Sequence, residues 1–447
     1  MAVGMYDSFF TRHWFSQGAK DIWSDRATLQ SWLDVELALA RAQADIGMIP
    51  KQAAATIAAK ASADAFDLDA LTAATQTTLH PFVPVLHQFE KLCGPEVAGF
   101  IHWGVTTQNI FDTATALQLR ATHELIVGDL GRLLAKLAQL AHDHRDVSQA
   151  GRTHGQHALP ITFGFKIAGW HAELARELLH IESRTADAFV ASMGGAVGTF
   201  AAMNGRGRAV QERVAALLGL GSNSVPSRAS SDGFAAYASA LAPLAATIEK
   251  IANEVVFLQR TEIAEVEERF DMGKIGSSTM AQKRNPARAQ NLIGLAKMLR
   301  SRVPLVVEAM VRANEGDAAA SNAGDTALAE IAILGASLVE GCARLVEGLT
   351  VDTAAMQRNL DASGGLILSE AIMMELAPLI GRHKAHDLLY DVAMERVRTG
   401  RPFVELLSKH KLLAPHVAKL DLQRLLDPRA YLGDAISMAD AAAQPKQ

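Results

Sequence analysis

The sequence is poor in cysteine and has no excess of charge of one sign. Cys93 and Cys342 are its only cysteines in 447 residues, which excludes a disulfide framework and a cysteine-rich metal site. Lys and Arg number 43 against 48 Asp and Glu, so the formal net charge is −5. No basic tail or charge block accompanies that balance, and we therefore expect no nucleic acid partner.

A hydrophobic run that could target or span a membrane is also missing. Residues 1–26 carry Asp7, Arg12 and Lys20 and have no apolar core of signal-peptide length. Residues 188–205 are uncharged but are interrupted by glycines, whereas a spanning helix needs about 20 mostly apolar residues. We expect a buried, glycine-broken segment there, and a soluble, reduced, cytoplasmic protein with no membrane partner.

Helical periodicity dominates what is present. The chain is 49% hydrophobic and 20% charged, as globular proteins are. Leu29, Leu33, Leu37 and Ala40 are spaced along one helix face, while strand-like alternation is hard to find. Similar runs cover about residues 113–142, 158–185, 235–268, 287–313 and 323–347. Several of them exceed the usual helix length of roughly 8–20 residues, which predicts an all-α bundle of long helices.

The length of 447 residues predicts more than one domain. We expect an N-terminal helical domain over residues 1–97, a central long-helix bundle over residues 98–351 and a C-terminal helical domain over residues 352–447.

The polar connections between the helical runs hold the candidate chemistry. Residues 276–286 read GSSTMAQKRNP, in which the hydroxyls of Ser277 and Ser278 follow Gly273 and precede Lys283. The pattern is typical of a mobile loop that brings a hydroxyl and cations to an anionic substrate. A surface loop that leads into a helix is the alternative, and on composition alone it is the more common one.

Two further connections carry small polar groups. Residues 151–160 (GRTHGQHALP) place His154 in a glycine-flanked turn, where an imidazole can exchange protons near neutral pH, although a structural or exposed histidine is more common. Residues 102–109 (HWGVTTQN) cluster donors that could hold a carboxylate, and we expect Asp112 to be a cap or a structural residue at the start of the next helix. No metal, dinucleotide or P-loop motif is found, so we expect neither a metal nor a cofactor.

Together and in this order, the three segments resemble the conserved regions of the fumarase/aspartase superfamily. Residues 276–286 are similar to its loop GSSxMPxKxN, residues 151–160 to its GRTHxQ region, and residues 104–113 to its first conserved region. Residues 22–50 and 258–268 resemble the branch of adenylosuccinate lyase and 3-carboxy-cis,cis-muconate cycloisomerase. The resemblance implies an all-α, three-domain fold with a central five-helix bundle. It also implies a homotetramer with a twenty-helix core, in which three subunits share each active site.

The implied chemistry is β-elimination from a succinyl-type dicarboxylate through an aci-carboxylate intermediate, without a cofactor. By family match Ser277 is the base, in an ionised form, and His154 assists the leaving group, although the choice between Ser277 and Ser278 stays open. The other matched positions are expected to bind substrate: Thr106, Thr107, Thr153, Lys283, Asn285, Ser278, His102 and Gln290.

Several positions depart from the family pattern. Gln290 stands where many members carry a glutamate that pairs with the histidine, and an amide cannot favour a charged imidazole as a carboxylate does. Arginines of the adenylosuccinate lyases are missing, since the corresponding places hold His13-Trp14, Gly316 and residues 231–233 (SDG). This weakens the case for a nucleotide phosphate, which arginines bind bidentately.

We therefore expect a lyase that cleaves the C–N bond of an N-substituted aspartate, or another carbon–heteroatom bond, and releases fumarate. A cycloisomerase is one alternative, favoured by Gly364-Gly365-Leu366-Ile367, and an adenylosuccinate lyase is another. The non-enzyme alternative is an inactive structural member, which would have no physical reason to keep the serine loop.

Overall fold

The protein is described by a computed structural model over residues 5–270 and 276–442. Gly273 lies outside the described residues. The α-helices in chain order are α1 (Gln17–Ile22), α2 (Asp25–Asp45), α3 (Lys51–Lys60), α4 (Leu68–Thr78), α5 (Phe82–Cys93), α6 (Pro95–Ala98), α7 (Thr107–Asp143), α8 (Phe163–Glu182), α9 (Thr185–Ala188), α10 (Gly207–Leu218), α11 (Asp232–Leu258), α12 (Ala287–Glu308), α13 (Ala318–Glu347), α14 (Thr353–Asp361), α15 (Ser369–Ile380), α16 (Arg382–Thr399), α17 (Phe403–Lys409), α18 (Ala414–Val417), α19 (Leu422–Leu425) and α20 (Ala435–Ala442). The strands are β1 (Ser148–Thr153), β2 (Gln156–Thr162), β3 (Val190–Ala191), β4 (Gly221–Ser222), β5 (Val266–Glu267) and β6 (Thr350–Val351).

The prediction of an all-α fold is confirmed. In the described part of the chain the strands form only two-stranded pairs: β1 with β2 and β5 with β6 are antiparallel, and β3 with β4 is parallel. Helices α7, α8, α11, α12 and α13 are the predicted long ones, from the 20 residues of α8 to the 37 of α7.

The chain divides into two compact units, and each of these five helices contributes residues to both. Unit 1 comprises residues 1–130, 176–249 and 291–341, and unit 2 comprises residues 131–175, 250–290 and 342–447. The three-domain division stays a prediction.

Unit 1 is built around α2 and the first part of α7. The hydroxyl of Ser24 caps α2 by accepting the N–H of Ala27, and the buried face of α2 packs into a core that includes Phe82 of α5 and Ile110 of α7. The long helices meet beside Gly335 of α13. There a Cβ would lie 3.5 to 3.8 Å from side chains of α7, α11 and α12, which is ordinary van der Waals contact, so the three helices pack closely around this position.

Unit 2 joins α8 to α11 through ion pairs, of which Lys166 with Glu254 measures 2.5 Å. The second pair is Lys250 with Glu173. A separate core forms between α15, α16 and α17, with Ile372 and Phe403 among its buried side chains.

Several predicted boundaries differ from the structure. The run predicted from residue 158 becomes helical only at Phe163, because residues 156–162 pair with β1 in a hairpin. The run predicted to reach residue 268 ends at Leu258. Helix α7 begins at Thr107, so of the two roles predicted for Asp112 the cap is wrong; the Asp112 carboxylate lies inside the helix and accepts a 2.7 Å hydrogen bond from Gln108.

Helix α13 has the length and mean hydropathy of a membrane-spanning helix, but 72% of its most apolar window is buried inside the protein, as in a core helix. Helix α14 and residues 366–380 have the length and mean hydropathy of a membrane-spanning helix only when they are counted together, and the two segments are bent by 78° at the break between them. The uncharged residues 188–205 contain the end of α9, strand β3 and one 3-10 turn.

Candidate active site

The serine loop of unit 2 is closed by a hydrogen bond between a side chain at one end and the backbone at the other. The side-chain amide of Asn285 donates a 2.6 Å hydrogen bond from Nδ2 to the carbonyl oxygen of Gly276, which joins the two ends of the loop. A Cβ at position 276 would lie 2.1 Å from the carbonyl oxygen of Lys283. Only glycine therefore fits this closure without a rearrangement.

Ser277 occupies a different environment from Ser278. The Oγ of Ser277 accepts hydrogen bonds from the backbone N–H groups of Thr279 at 3.3 Å and Met280 at 3.1 Å. Ser277 is partly buried, whereas Ser278 is exposed. Donors that converge on one oxygen stabilise a negative charge there, so the geometry favours ionisation of Ser277 over Ser278.

The remaining predicted residues of this region face outwards. Lys283 is exposed, and its ammonium group has no ion pair among the described residues, which leaves it available to an anionic ligand. Gln290 lies exposed in the first turn of α12, where its backbone N–H bonds to Pro286 at 3.0 Å. Its side-chain amide makes no hydrogen bond within the part of the chain that the structure describes.

Residues 259–268 anchor the serine loop. Gln259 accepts the backbone N–H of Glu268 at 3.0 Å and donates to the carbonyl oxygen of Arg284 at 3.3 Å. Arg284 also pairs with Glu267 at 3.1 Å. The buried carboxylate of Glu268 accepts the backbone N–H groups of Arg288 and Ala289 and so caps α12, which follows the loop.

The second predicted segment is the turn of a β-hairpin. Thr153 ends β1, Gln156 begins β2, and the two residues between them, His154 and Gly155, have φ of +52° and +76°. Two consecutive positive φ values are typical of a type I′ hairpin turn. Thr153 and His154 are exposed, and the imidazole of His154 has no hydrogen-bond partner among the described residues.

A buried ion pair holds the hairpin in unit 2. Glu265, fully buried, accepts hydrogen bonds from both ends of the Arg152 guanidinium at 2.6 and 3.1 Å, from Gln149 at 2.6 Å and from Asn359 at 2.7 Å. Burial alone would raise the pKa of Glu265, but the hydrogen bonds from Arg152, Asn359 and Gln149 outweigh it and leave that pKa lowered. The carboxylate is therefore ionised at neutral pH and fixes β1 against residues 259–268.

The third predicted segment is the N-terminus of α7 in unit 1. The buried side chain of Asn109 accepts the backbone N–H of Thr106 at 3.1 Å and that of Gly195 at 3.0 Å. Thr106 thus stands at the N-cap, with Thr107 in the first helical position. Both side chains are partly buried, and the end of a helix of 37 residues lies beside them, which suits a carboxylate.

His102 lies just before this helix, also in unit 1. Its Nδ1 is 2.6 Å from Oε1 of Glu36, and its backbone N–H donates to Oε2 of the same carboxylate at 3.1 Å. The backbone of His102 has φ of +57°, a left-handed conformation that non-glycine residues seldom adopt.

The structure thus brings the predicted residues together in two groups. His102, Thr106 and Thr107 share one connection in unit 1. In unit 2, Ser277, Ser278, Lys283 and Asn285 share one loop, with Gln290 in the following helix, and the hairpin turn carries Thr153 and His154. No hydrogen bond joins that turn to the serine loop among the residues described in unit 2.

Sequence reasoning missed Glu36, Arg152 and Glu265. Glu36 follows Leu29 and Leu33 at helical spacing on the apolar face of α2, so a charge on a buried face was the available signal. Arg152 and Glu265 are 113 residues apart in the sequence, and no local pattern connects them.

Comparison with known proteins shows which families and proteins this chain is similar to. Residues 17–300 match the family described as Lyase, and residues 365–442 match the family described as Adenylosuccinate lyase C-terminus. An N-acetyl-S-(2-succino)cysteine lyase of Dickeya dadantii is 38% identical over 94% of this chain and 92% of its own length. The protein of the same name from Enterococcus italicus is 37% identical over 100% and 99%.

Other relatives belong to the two activities that the sequence resembles. An adenylosuccinate lyase of Methanothermobacter thermautotrophicus is 36% identical over 95% of this chain and 96% of its own length. Among solved structures, the 3-carboxy-cis,cis-muconate lactonizing enzyme of Pseudomonas putida has a TM-score of 0.90 and 34% identity, covering 97% of this chain and 98% of that one.

Proposed function

We infer the function of this chain from its family. It belongs to the fumarase/aspartase superfamily, in the branch of adenylosuccinate lyase and 3-carboxy-cis,cis-muconate cycloisomerase, and it has the all-α fold of that family. The reaction that we propose is the elimination of a heteroatom group from a 2-substituted succinate, with release of fumarate. The bond that we favour is C–S, in a thioether such as N-acetyl-S-(2-succino)cysteine. The products would then be fumarate and the free thiol.

The environment of Ser277 carries this proposal. Removing the Cβ proton beside a carboxylate requires a strong base, and a serine hydroxyl is one only when it is ionised. The N–H groups of Thr279 and Met280 supply two fixed donors to Oγ before any substrate arrives. Preorganised donors of this kind stabilise developing negative charge without further rearrangement.

The other predicted residues suit the two carboxylates of a succinyl group. On the same loop as the base, Lys283 has no ion pair within the described residues, and the side-chain oxygen of Asn285 has no partner there while its Nδ2 closes the loop. Thr106 and Thr107 offer hydroxyls at a helix N-terminus, where anions are favoured. Thr153 offers a further hydroxyl at the hairpin turn.

A sulfur leaving group depends less than a nitrogen one on proton donation by His154. An amine must be protonated to leave, whereas an alkyl thiol, with an ordinary pKa of about 8.5, leaves as a thiolate much more readily. Gln290 supplies no carboxylate, and no contact within the described residues orients the imidazole of His154 for acid catalysis. The two relatives named as lyases of a succinylated cysteine agree with this preference.

C–N cleavage of an N-substituted aspartate stays a prediction, and a cycloisomerase is the second candidate. The muconate lactonizing enzyme of similar structure favours the cycloisomerase, as does the glycine pair Gly364-Gly365, both with positive φ.

A substrate panel tests the proposal. Purified protein would be incubated with N-acetyl-S-(2-succino)cysteine, an N-alkyl aspartate, adenylosuccinate and 3-carboxy-cis,cis-muconate, and proton NMR would follow the products. We expect fumarate and N-acetylcysteine in equal amounts from the thioether. Turnover of the muconate alone would establish the cycloisomerase, and turnover of the aspartate alone would establish a C–N lyase.

A further inference from the structure

Both oxygens of a buried carboxylate on α2 interact with the same histidine. Glu36 is 2% exposed, and both of its oxygens interact with His102, one with the backbone N–H and the other with Nδ1. No lysine or arginine pairs with Glu36 in the described residues. A carboxylate is costly to bury unless it is hydrogen-bonded, so the interaction with His102 is what permits a charge on this helix face.

This contact determines which ring nitrogen of His102 is available. An ionised carboxylate only accepts hydrogen bonds, so the 2.6 Å contact places one hydrogen on Nδ1, and a second proton taken up by the ring lies on Nε2, from which it can be donated. Nε2 is then left for a ligand. It has no hydrogen-bond partner among the described residues, and the side chain keeps 19% exposure.

The backbone around His102 is held in a strained conformation. Its φ of +57° lies in the left-handed region, which is unfavourable for a residue with a Cβ. Helix α2 fixes the connection at two points, since Gln43 also donates a 2.7 Å hydrogen bond to the carbonyl oxygen of Trp103. Strain that buried partners maintain is concentrated at functional sites.

His154 differs from His102 in each of these respects. It is exposed, it has no partner in the described chain, and Gln290 supplies no carboxylate. Of the two histidines predicted at the site, His102 is the one whose ring is oriented.

We propose that Glu36 is a positioning residue and that His102, which it orients, donates the proton from Nε2 to the departing heteroatom. This inference rests on the proposed elimination. Ser277 takes the Cβ proton, the C–H electron pair becomes the second bond of fumarate, and the C–S pair goes to sulfur, which takes the proton from Nε2. Afterwards Ser277 releases its proton and His102 regains one from water.

The variant Glu36→Gln tests the positioning role. Its single side-chain oxygen can accept the backbone N–H of His102 only if its NH2 group faces Nδ1. Nδ1 must then accept a hydrogen bond, which disfavours the doubly protonated ring that donates from Nε2. General acid catalysis contributes about 10²–10⁴-fold, so we expect kcat for N-acetyl-S-(2-succino)cysteine to fall about 100-fold, with KM nearly unchanged.

The decisive readout is the dependence on the leaving group. With 2-(4-nitrophenylthio)succinate the thiolate leaves without a proton, and Glu36→Gln should lower kcat less than about fivefold. Gln43→Leu is the matched control, because it removes the other anchor of the same connection. We expect any fall in kcat that this variant causes to be the same factor with both substrates.

Each other outcome is informative. An equal loss with both substrates in Glu36→Gln, or a loss that depends on the leaving group in Gln43→Leu, would overturn the inference. A dependence confined to His154→Gln would return the role to His154. If the wild-type protein released fumarate from neither thioether, the proposed function itself would fail, which is a separate result.

Discussion

Two backbone N–H groups distinguish Ser277 from its neighbour Ser278. Sequence alone could not separate these adjacent hydroxyls, because loop geometry decides which oxygen receives the donors of Thr279 and Met280. In the same way, Glu36 was visible as a charge on a buried helix face, but its contact with His102 was not.

Ser277→Ala should lower kcat for the proposed elimination by about 10³-fold or more, since it removes the base, which is the oxygen that accepts hydrogen bonds from the N–H groups of Thr279 and Met280. Ser278→Ala should lower it less than about tenfold. Steady-state kinetics with a succinylated thiol measures both. Equal losses in the two variants would contradict the assignment of the base to Ser277.

Glu265→Gln should destabilise the protein by about 3–5 kcal/mol at pH 7, because it leaves the Arg152 guanidinium without its buried counter-charge. The pKa of Glu265 is lowered from its ordinary 4.5 in the fold, so its ionisation stabilises the protein above that pH. This contribution is lost as the pH falls from 4.5 through the lowered pKa, because the carboxylate then becomes protonated in the folded protein as well.

Urea denaturation at fixed protein concentration checks this prediction. The difference in unfolding free energy between the wild type and Glu265→Gln should shrink when the pH is lowered from 7 to below 4.5. A difference that stayed constant would mean that the ion pair with Arg152 is not its source.

At the scale of elements, the serine loop depends on how closely its ends approach. Gly276→Ala would place a Cβ 2.1 Å from the carbonyl oxygen of Lys283, so the closure by Asn285 must open. We expect kcat to fall about 10²-fold while the melting temperature changes little, because the loop adds no buried core.

Gly99→Ala is the control for this prediction. Gly99 is exposed and has a helical φ of −66°, and no atom lies within 4 Å of the position that a Cβ would take, so alanine should be tolerated with unchanged kcat. If Gly276→Ala behaved like Gly99→Ala, the closed loop would not be the active conformation.

The helices were more predictable than the hairpin that carries His154. Long apolar runs predicted α7, α11 and α13, and Gly155 correctly indicated a turn. Strands β1 and β2 were missed because the apolar end of β2 merges with the periodic pattern of α8. The partners of Glu265 could not be predicted, since Asn359 is 94 residues away along the chain.

At the scale of the whole molecule, the family resemblance predicts a tetramer whose active sites combine segments of three subunits. We expect sedimentation to give a species of four 47.8-kDa chains, stable on dilution into the assay range. Mixing inactive Ser277→Ala with inactive His102→Asn chains under subunit exchange should restore part of the activity, because some sites then receive both intact segments. A stable monomer with full activity would contradict the shared site.

The measurement that tests the central claim most directly is the reverse reaction, with fumarate and N-acetylcysteine in deuterium oxide, followed by proton NMR. The account predicts that the wild-type protein consumes fumarate faster than the uncatalysed addition does and forms the succinyl thioether with a single deuterium at Cβ. Ser277→Ala should leave only the uncatalysed rate. Equal rates in the two proteins, or a rate no faster than that without protein, would contradict an elimination in which Ser277 is the base.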